Sequence, residues 1–342
     1  MRSRTLSALL LPLAMLLAAC GGATSAAPTD HTDGKGETTL TIGDQKGGYE
    51  AILRASGRLD DLDYRIRWST FTSGPPLLEA VSAGAVDIGG VGNTPPVFAA
   101  GSDSRITVVG ASHGSSAGEA IVVPKDSPLR GPAQLKGRTI AVAQGSSAHY
   151  QLITALKKAG LRITDVKLAY LQPADALAAF NRGRVDAWAI WDPYTSQVLR
   201  STRARVLTTG EGVVNGLSFQ VASPAALKDD RKSKAIGDLL HRLQQAQDWV
   251  FEHPEAWAKV WAKETGLSYE VALDAVRRSY GTRVPVAVDP AAIASEQAIA
   301  DTFAHLKLIP RHFAFEDYVD TRFNRDLPPS SAAPRSYGKA SS

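Results

Sequence analysis

Apolar residues along this chain follow two rhythms. Residues 39–43 and 64–68 alternate apolar with polar, and short apolar runs recur at 86–88, 107–110, 120–123, 137–142, 166–171, 185–190, 205–207 and 218–221. These are strand patterns. Between them lie stretches at helical spacing: 49–57 with Ile52 and Leu53 on one side, a segment through Val81 opened by Ser73 and Pro75, one from Gln144 through Lys158, and 173–181. Proline in the first helical turn costs no hydrogen bond and a serine before it can cap, so each start has a physical reason. Strands alternating with helices of this length predict a mostly parallel, three-layer α/β sheet. From Lys234 the pattern turns helical. Ile236, Leu239, Leu240, Leu243, Ala246, Trp249 and Val250 form one stripe and Trp257, Val260 and Trp261 another, both of the kind that packs a core. Asp289 and Pro290 open a last helix carrying Ile293, Ala300, Phe303 and Leu306.

Two segments about a hundred residues apart are near-copies. Leu78 to Asp87 and Leu177 to Asp186 each read helix, glycine stop, strand. Each is followed by a turn suited to starting another helix, Gly92-Asn93-Thr94-Pro95 in one case and Trp191-Asp192-Pro193-Tyr194 in the other. A chain that builds the same strand-end turn in each half is predicted to hold something between two lobes. Breaks at Pro124 and Pro224 place residues 38–124 and 224–326 in lobe 1 and residues 125–223 in lobe 2, the second inserted into the first. Two chain crossings between lobes make a hinge.

The ends of the chain read differently. Arg2 and Arg4 followed by an apolar run predict a signal peptide over residues 1–19, too short to span a bilayer. It closes on Leu17-Ala18-Ala19-Cys20, small residues before the chain's single cysteine, similar to a lipobox that leaves Cys20 lipidated. Residues 20–37 read as a flexible tether and 327–342 as a disordered tail, both without apolar spacing. The formal net charge of +4 is not gathered into a basic stripe, so nucleic acid is not an expected partner.

Chemistry is carried by few residues. Gly114 to Gly118 fits G-x-S-x-G around Ser116, but the residues after it read as a strand where a nucleophile elbow needs a helix. The seven histidines form no H-x-x-x-H pair, and neither a calcium-type carboxylate ladder nor a phosphate-binding glycine loop occurs, so no metal and no cofactor are expected. What the chain repeats is a polar turn at a helix start: Ser73-Gly74-Pro75, Asn93-Thr94-Pro95 and Gly145-Ser146-Ser147. Each serine, asparagine or threonine can simply cap its own helix. Three such turns at strand ends in both lobes also suit an oxyanion bound without lysine. Trp188 reads as core, whereas Trp191 at the strand exit could wall an alkyl chain, and Asp192 could cap a helix or face a substrate amine.

Several segments together resemble the aliphatic-sulfonate-binding proteins of ABC importers, within the sulfonate, taurine and nitrate group of periplasmic-binding-protein-like folds. They are Gly43 to Gly47, Ser73 to Ala80, Gly92 to Pro96, Leu135 to Gly137, Gln144 to His149, Pro173 to Ala176 and Val185 to Tyr194. The resemblance implies a type II two-lobed α/β fold, each lobe a mixed sheet flanked by helices. It implies a monomer anchored through Cys20 to the outer face of the cell membrane, handing an alkanesulfonate to a permease and its ATPase. By position, Gln45, Ser73, Gly74, Asn93, Thr94, Ser146 and Ser147 would hold the oxyanion, with Trp191, His149 and Asp192 facing the rest of the ligand. Relatives usually carry an aromatic residue at Asp44 and an aspartate at Asn93. The same fold binding taurine, nitrate or a thiamine-precursor pyrimidine is one alternative. An exported hydrolase acting through Ser116 or Ser146 is another.

Overall fold

The computed structural model describes residues 32–33, 37–201 and 204–337. The predicted signal peptide, Cys20, most of the tether and residues 338–342 lie outside them. The chain opens with β1 (Thr32–Asp33) and β2 (Thr39–Gln45), then runs α1 (Tyr49–Ala55), β3 (Arg65–Phe71), α2 (Gly74–Ser82), β4 (Ile88–Gly92), α3 (Thr94–Gly101) and β5 (Thr107–His113). It crosses to a second unit of β6 (Ala120–Pro124), β7 (Thr139–Val142), α4 (Ser147–Lys158), β8 (Lys167–Tyr170), α5 (Pro173–Asn181), β9 (Ala187–Ile190), α6 (Tyr194–Ser201) and β10 (Ala204–Thr209). It returns through β11 (Leu217–Ala222) to α7 (Pro224–Lys228), α8 (Asp230–Glu252), α9 (Pro254–Thr265), α10 (Tyr269–Arg278), β12 (Val284–Val286) and α11 (Pro290–His305).

Among the described residues these strands make two sheets, one in the order β1-β3-β2-β4-β11-β5-β12 and one in the order β10-β6-β9-β7-β8. Both are mixed, which corrects the mostly parallel reading. Only β2–β3, β2–β4, β7–β8 and β7–β9 are parallel; one helix joins β2 to β3 and β7 to β8, and β4 and β9 each follow after a further helix. The strands that carry the chain between lobes pair antiparallel, β11 entering between β4 and β5. Apolar alternation reports which face of a strand is buried, not the direction of its neighbour.

The crossings also lie elsewhere than Pro124 and Pro224. β6 belongs to the smaller sheet and β11 to the larger, so the chain changes lobe over residues 114–119 and 210–216. Pro124 merely ends β6, and Pro224 opens α7 behind the Ser223 cap. The two crossing segments run side by side, the Gly114 N–H donating to Gly216 O (3.0 Å) and the Gly210 N–H to Glu119 O (2.8 Å). Gly216 has φ +70°, and a Cβ there would stand 2.4 Å from Gly114 O. Glycine, not proline, marks this boundary because the strands approach too closely for a side chain.

The near-repeat is visible as geometry. Asp87 and Asp186 each place a carboxylate oxygen 2.8 Å from a backbone N–H of the neighbouring parallel strand, Thr41 in one lobe and Thr139 in the other. The N–H of each aspartate donates back to the same residue's carbonyl at 2.8 Å. Each sheet is buried on both faces: β9 sends Ala187 and Ala189 to one side and Trp188 and Ile190 to the other, all in apolar cores. Residues 327–337 are not a loose tail. Ser330 bonds Asp289, the Arg335 N–H donates to Thr282 O, and the Tyr337 ring lies tilted 5.0 Å from that of Phe251, so this segment is strapped to lobe 1 by polar and aromatic contacts that carry no apolar rhythm. Thr32 and Asp33, within the predicted tether, pair with β3.

Candidate functional site

A cavity of about 150 Å³ lies where the strand ends of both sheets meet the two crossings. Crevices outside the carboxyl ends of strands are where open α/β sheets collect ligands. Its wall takes Asp44 and Gln45 from the end of β2, Gly74 from α2, Ser146 and Ser147 from the start of α4, and Trp191 and Asp192 from the turn after β9. The lobes approach closely beside it. A Cβ on Gly92 would stand 2.1 Å from Ser147 Oγ of the other lobe, and within lobe 1 one on Gly74 would stand 2.6 Å from Pro95 Cγ, so glycine is what lets the helix starts come together.

The helix starts on this wall differ in what they leave free. At α2, Ser73 donates its hydroxyl to Gln172 Oε1 across the lobes (2.9 Å) and does not cap, while Pro75 and Pro76 carry no N–H. At α4, Ser146 turns its hydroxyl to Ala143 O (2.7 Å) and likewise leaves the first turn uncapped. With the Ser73 and Ser146 hydroxyls already committed, what these two ends offer the cavity is backbone N–H groups and the Ser147 hydroxyl, none of them charged. The start of α1 is already filled by an anion of the chain itself: Asp44 accepts from the backbone N–H groups of Gln45, Tyr49 and Glu50 at 2.8–2.9 Å. Gly48 makes room, since a Cβ there would lie 2.2 Å from Asp44 Oδ1. Burial outweighs these three bonds and pushes the Asp44 carboxyl up to about 6.

The crossing end of the cavity is charged. Glu119, at the start of β6, is pushed up to about 7 by burial, against the attraction of the Arg283 guanidinium. Arg283 stands 4.4 Å over the Tyr280 ring. Asp192 is nearly closed off from solvent. Its Oδ1 accepts from the Ser196 N–H (3.0 Å) and hydroxyl (2.6 Å), and its Oδ2 from the Ser279 hydroxyl (3.2 Å). Burial raises its pKa against the opposing charge of Arg278. Deeper in lobe 1, Gln220 donates to Tyr49 Oη (2.9 Å), and Ile52, Leu243, Val250 and Trp257 give an apolar wall.

Six of the ten residues predicted for the site line the cavity: Gln45, Gly74, Ser146, Ser147, Trp191 and Asp192. Four do not. Ser73 is fully buried on its bond to Gln172. Asn93 donates to Asn215 Oδ1 (2.8 Å) in the returning crossing, Asn215 donates to Glu296 Oε1 (2.8 Å), and Thr94 donates to Asn93 Oδ1 (2.9 Å). Asn93 and Thr94 thus face a buried polar network behind the cavity, while Gly92 and Pro95 of the same turn line it. His149 points from α4 toward α3 and α11, where Phe98, Phe303 and Tyr170 surround it. Burial lowers its pKa to about 4.

Glu119, Tyr49, Gln220, Tyr280, Arg283 and Trp257 line the cavity without having been predicted. Glu119 follows the G-x-S-x-G segment, whose glycines serve the crossing: a Cβ on Gly118 would stand 2.6 Å from Asp192 Oδ2. Ser116 does line the cavity, but strand β6, not a helix, follows it. Among the described residues, no group of three or more His, Cys, Asp or Glu is arranged to hold a metal ion.

Residues 73–257 match the family described as NMT1/THI5 like. The chain is 36% identical over 277 residues to an aliphatic sulfonates-binding protein of Escherichia coli (strain K12), covering 80% of this chain and 85% of that one. The chain belongs to this family. Its counterpart of the same description in Bacillus subtilis (strain 168) is 29% identical over 327 residues, covering 92% of this chain and 94% of the relative. Among solved structures, the alkanesulfonate-binding protein SsuA from Xanthomonas axonopodis pv. citri, bound to MOPS, superposes with a TM-score of 0.76 at 32% identity, covering 84% of this chain and 99% of that one. The periplasmic aliphatic sulphonate binding protein SsuA from Escherichia coli gives a TM-score of 0.74 at 32% identity, covering 82% and 92%. The NMT1/THI5-like chain thus has the two-lobed α/β fold of these binding proteins.

Proposed function

We propose that this protein is an extracytoplasmic receptor that captures aliphatic sulfonates between its lobes and delivers them to an ABC permease and its ATPase. The observation that carries the reading is a cavity enclosed by strand ends of both lobes, one side of which offers uncapped helix starts and hydroxyls with no lysine. A sulfonate is a monoanion with three acceptor oxygens. Gly74, Ser147 and Gln45 supply donors for it without adding charge, and Trp191 with the apolar wall of Ile52, Leu243 and Val250 takes the organic part. Kinship with the sulfonate-binding relatives supports the same ligand class.

Capture works by closure. The glycine-lined crossings at 114–119 and 210–216 are the positions that can flex. Ser73 with Gln172, Gly92 beside Ser147, and Arg200 with Asp274 are contacts between lobes that closure makes. Cys20 is the anchor to the outer face of the cell membrane in this reading, and no covalent step is assigned to the protein. Ser116 lacks the strand-to-helix elbow that would activate it. Thermal unfolding of ligand-free protein should shift upward with alkanesulfonates while the ligand stays chemically intact by mass spectrometry. No shift with any of them, or a new product abolished by Ser116→Ala, would overturn the reading.

A further inference from the structure

The short segment 279–283, between α10 and β12, meets three parts of the molecule at once. Ser279, Tyr280 and Arg283 line the cavity. The Ser279 hydroxyl donates to Asp192 Oδ2 of the other lobe (3.2 Å), and Thr282 Oγ1 accepts from the N–H of Ser115 in the first crossing (2.9 Å). Yet the segment is a single turn of 3₁₀ helix at 280–282 with one residue on either side. A piece of chain this short keeps its shape through what packs behind it.

Residues 330–337 pack behind it. The Arg335 N–H donates to Thr282 O (2.8 Å), and the Tyr337 hydroxyl lies 3.3 Å from Gly281 O and from Val250 O near the end of α8. Gly281 is fitted to that contact, since a Cβ there would stand 2.1 Å from Tyr337 Oη. Ala332 O lies 2.7 Å from Nδ1 of His113, the last residue before the first crossing, so that nitrogen carries the proton and donates. The run is itself pinned away from the wall: Ser330 on Asp289, the Arg335 guanidinium on Asp248 and 5.1 Å over the Phe251 ring, and the Tyr337 ring beside Phe251. Its bonds to Thr282 and Gly281 go to backbone carbonyls on the blind side of the cavity wall. They fix where that wall stands.

We propose that residues 330–337 are a positioning strap that sets ligand affinity, holding 279–283 so that Ser279 is aimed at Asp192 and Tyr280 and Arg283 stand on the cavity wall before the lobes close. This rests on the reading of the protein as a receptor that closes over a sulfonate. Without the strap the wall has to be ordered at each closure, and that cost appears as faster ligand release.

The test is calorimetric titration and stopped-flow dissociation with a series of unbranched alkanesulfonates, on ligand-free wild type and on the same chain with residues 330–337 replaced by an equal run of glycine and serine. Replacement should weaken binding about 10-fold, mostly through the dissociation rate. Tyr337→Phe, which keeps the ring and loses the hydroxyl, should weaken it about threefold. Asp186→Ala loosens lobe 2 without touching wall or strap, so its Kd should equal that of wild type. Hydrogen exchange at 279–283 and 113–116 should also be faster in the ligand-free strap variant, with lobe 2 unchanged. Wild-type affinity in the strap variant, or an equal loss in Asp186→Ala, overturns the inference and leaves sulfonate capture standing. No binding to wild type overturns both. Should the replacement fail to fold, Tyr337→Phe decides, and wild-type affinity there overturns the strap.

Discussion

The turn after β4 and the turn after β9 begin from the same scaffold and end in different places. Both follow a helix, a left-handed glycine (Gly84, φ +76°; Gly183, φ +65°) and an aspartate bonded to the neighbouring strand. After β9, Trp191 and Asp192 line the cavity. After β4, Asn93 and Thr94 turn into the network with Asn215 and Glu296 and do not reach its wall. The repeat therefore encodes how a strand is set in its sheet, while the turn's side chains are free to serve either a hinge or a ligand.

The largest expected effect breaks the symmetry of the two aspartates. Asp87 is buried and also bonded to Lys232 Nζ (2.8 Å), whereas Asp186 is well exposed beside Arg138 (3.5 Å). Asp87→Ala leaves a strand N–H and a lysine without their partner and should cost about 3–5 kcal/mol of unfolding free energy. Asp186→Ala should cost about 1 kcal/mol, both read by denaturant titration. Equal losses would mean that the repeat is symmetric in energy as well as in geometry.

Next comes pH. His149 is fully buried with its pKa lowered from 6.5 to about 4, so in that window the unfolded chain takes up a proton that the folded protein refuses. Stability should fall as pH drops from 6.5 toward 4, by about 3 kcal/mol from this group. Asp44, raised to about 6, and Glu119, raised to about 7, act oppositely, their cost growing as pH rises through that range. The difference between wild type and His149→Leu across pH isolates the histidine. A difference that does not vary with pH would contradict its packing role.

Smaller still is the contrast within the turns. Asn93→Ala should lower stability by about 2 kcal/mol, because Asn215 loses its donor, while ligand affinity stays within about threefold. Trp191→Leu should do the reverse, weakening binding about 10-fold with a lesser effect on unfolding. A Kd that collapses in Asn93→Ala would return that turn to the ligand.

How much was legible follows from what each pattern reports. The 173–181 helix and the start at Asp289, whose side chain accepts from the Ala292 N–H (2.9 Å), were read because caps and prolines act locally. The lobes' boundaries were not, because prolines mark element ends, whereas the glycines at 114, 118, 210 and 216 are needed only where two distant segments touch. β12 was missed since Pro285 interrupts the strand pattern, which an edge position tolerates. The site was half legible. Residues at helix starts are near the cavity by topology, but whether Asn93 or His149 faces it depends on a partner far along the chain, Asn215 or Phe303. Glu119 and Arg283 carry no motif and reach the cavity only through the crossings.

The central claim is capture of a sulfonate monoanion between the lobes, at a wall that uses neutral donors and carries acids rather than lysines. Titration calorimetry of ligand-free protein with an alkanesulfonate and, in parallel, with the dianion sulfate tests it most directly. The account expects one sulfonate bound per chain and no heat from sulfate, whose second charge the acids at 44, 119 and 192, outnumbering the Arg283 guanidinium on the same wall, repel. Sulfate binding as tightly as the sulfonate, or no sulfonate binding, would contradict it.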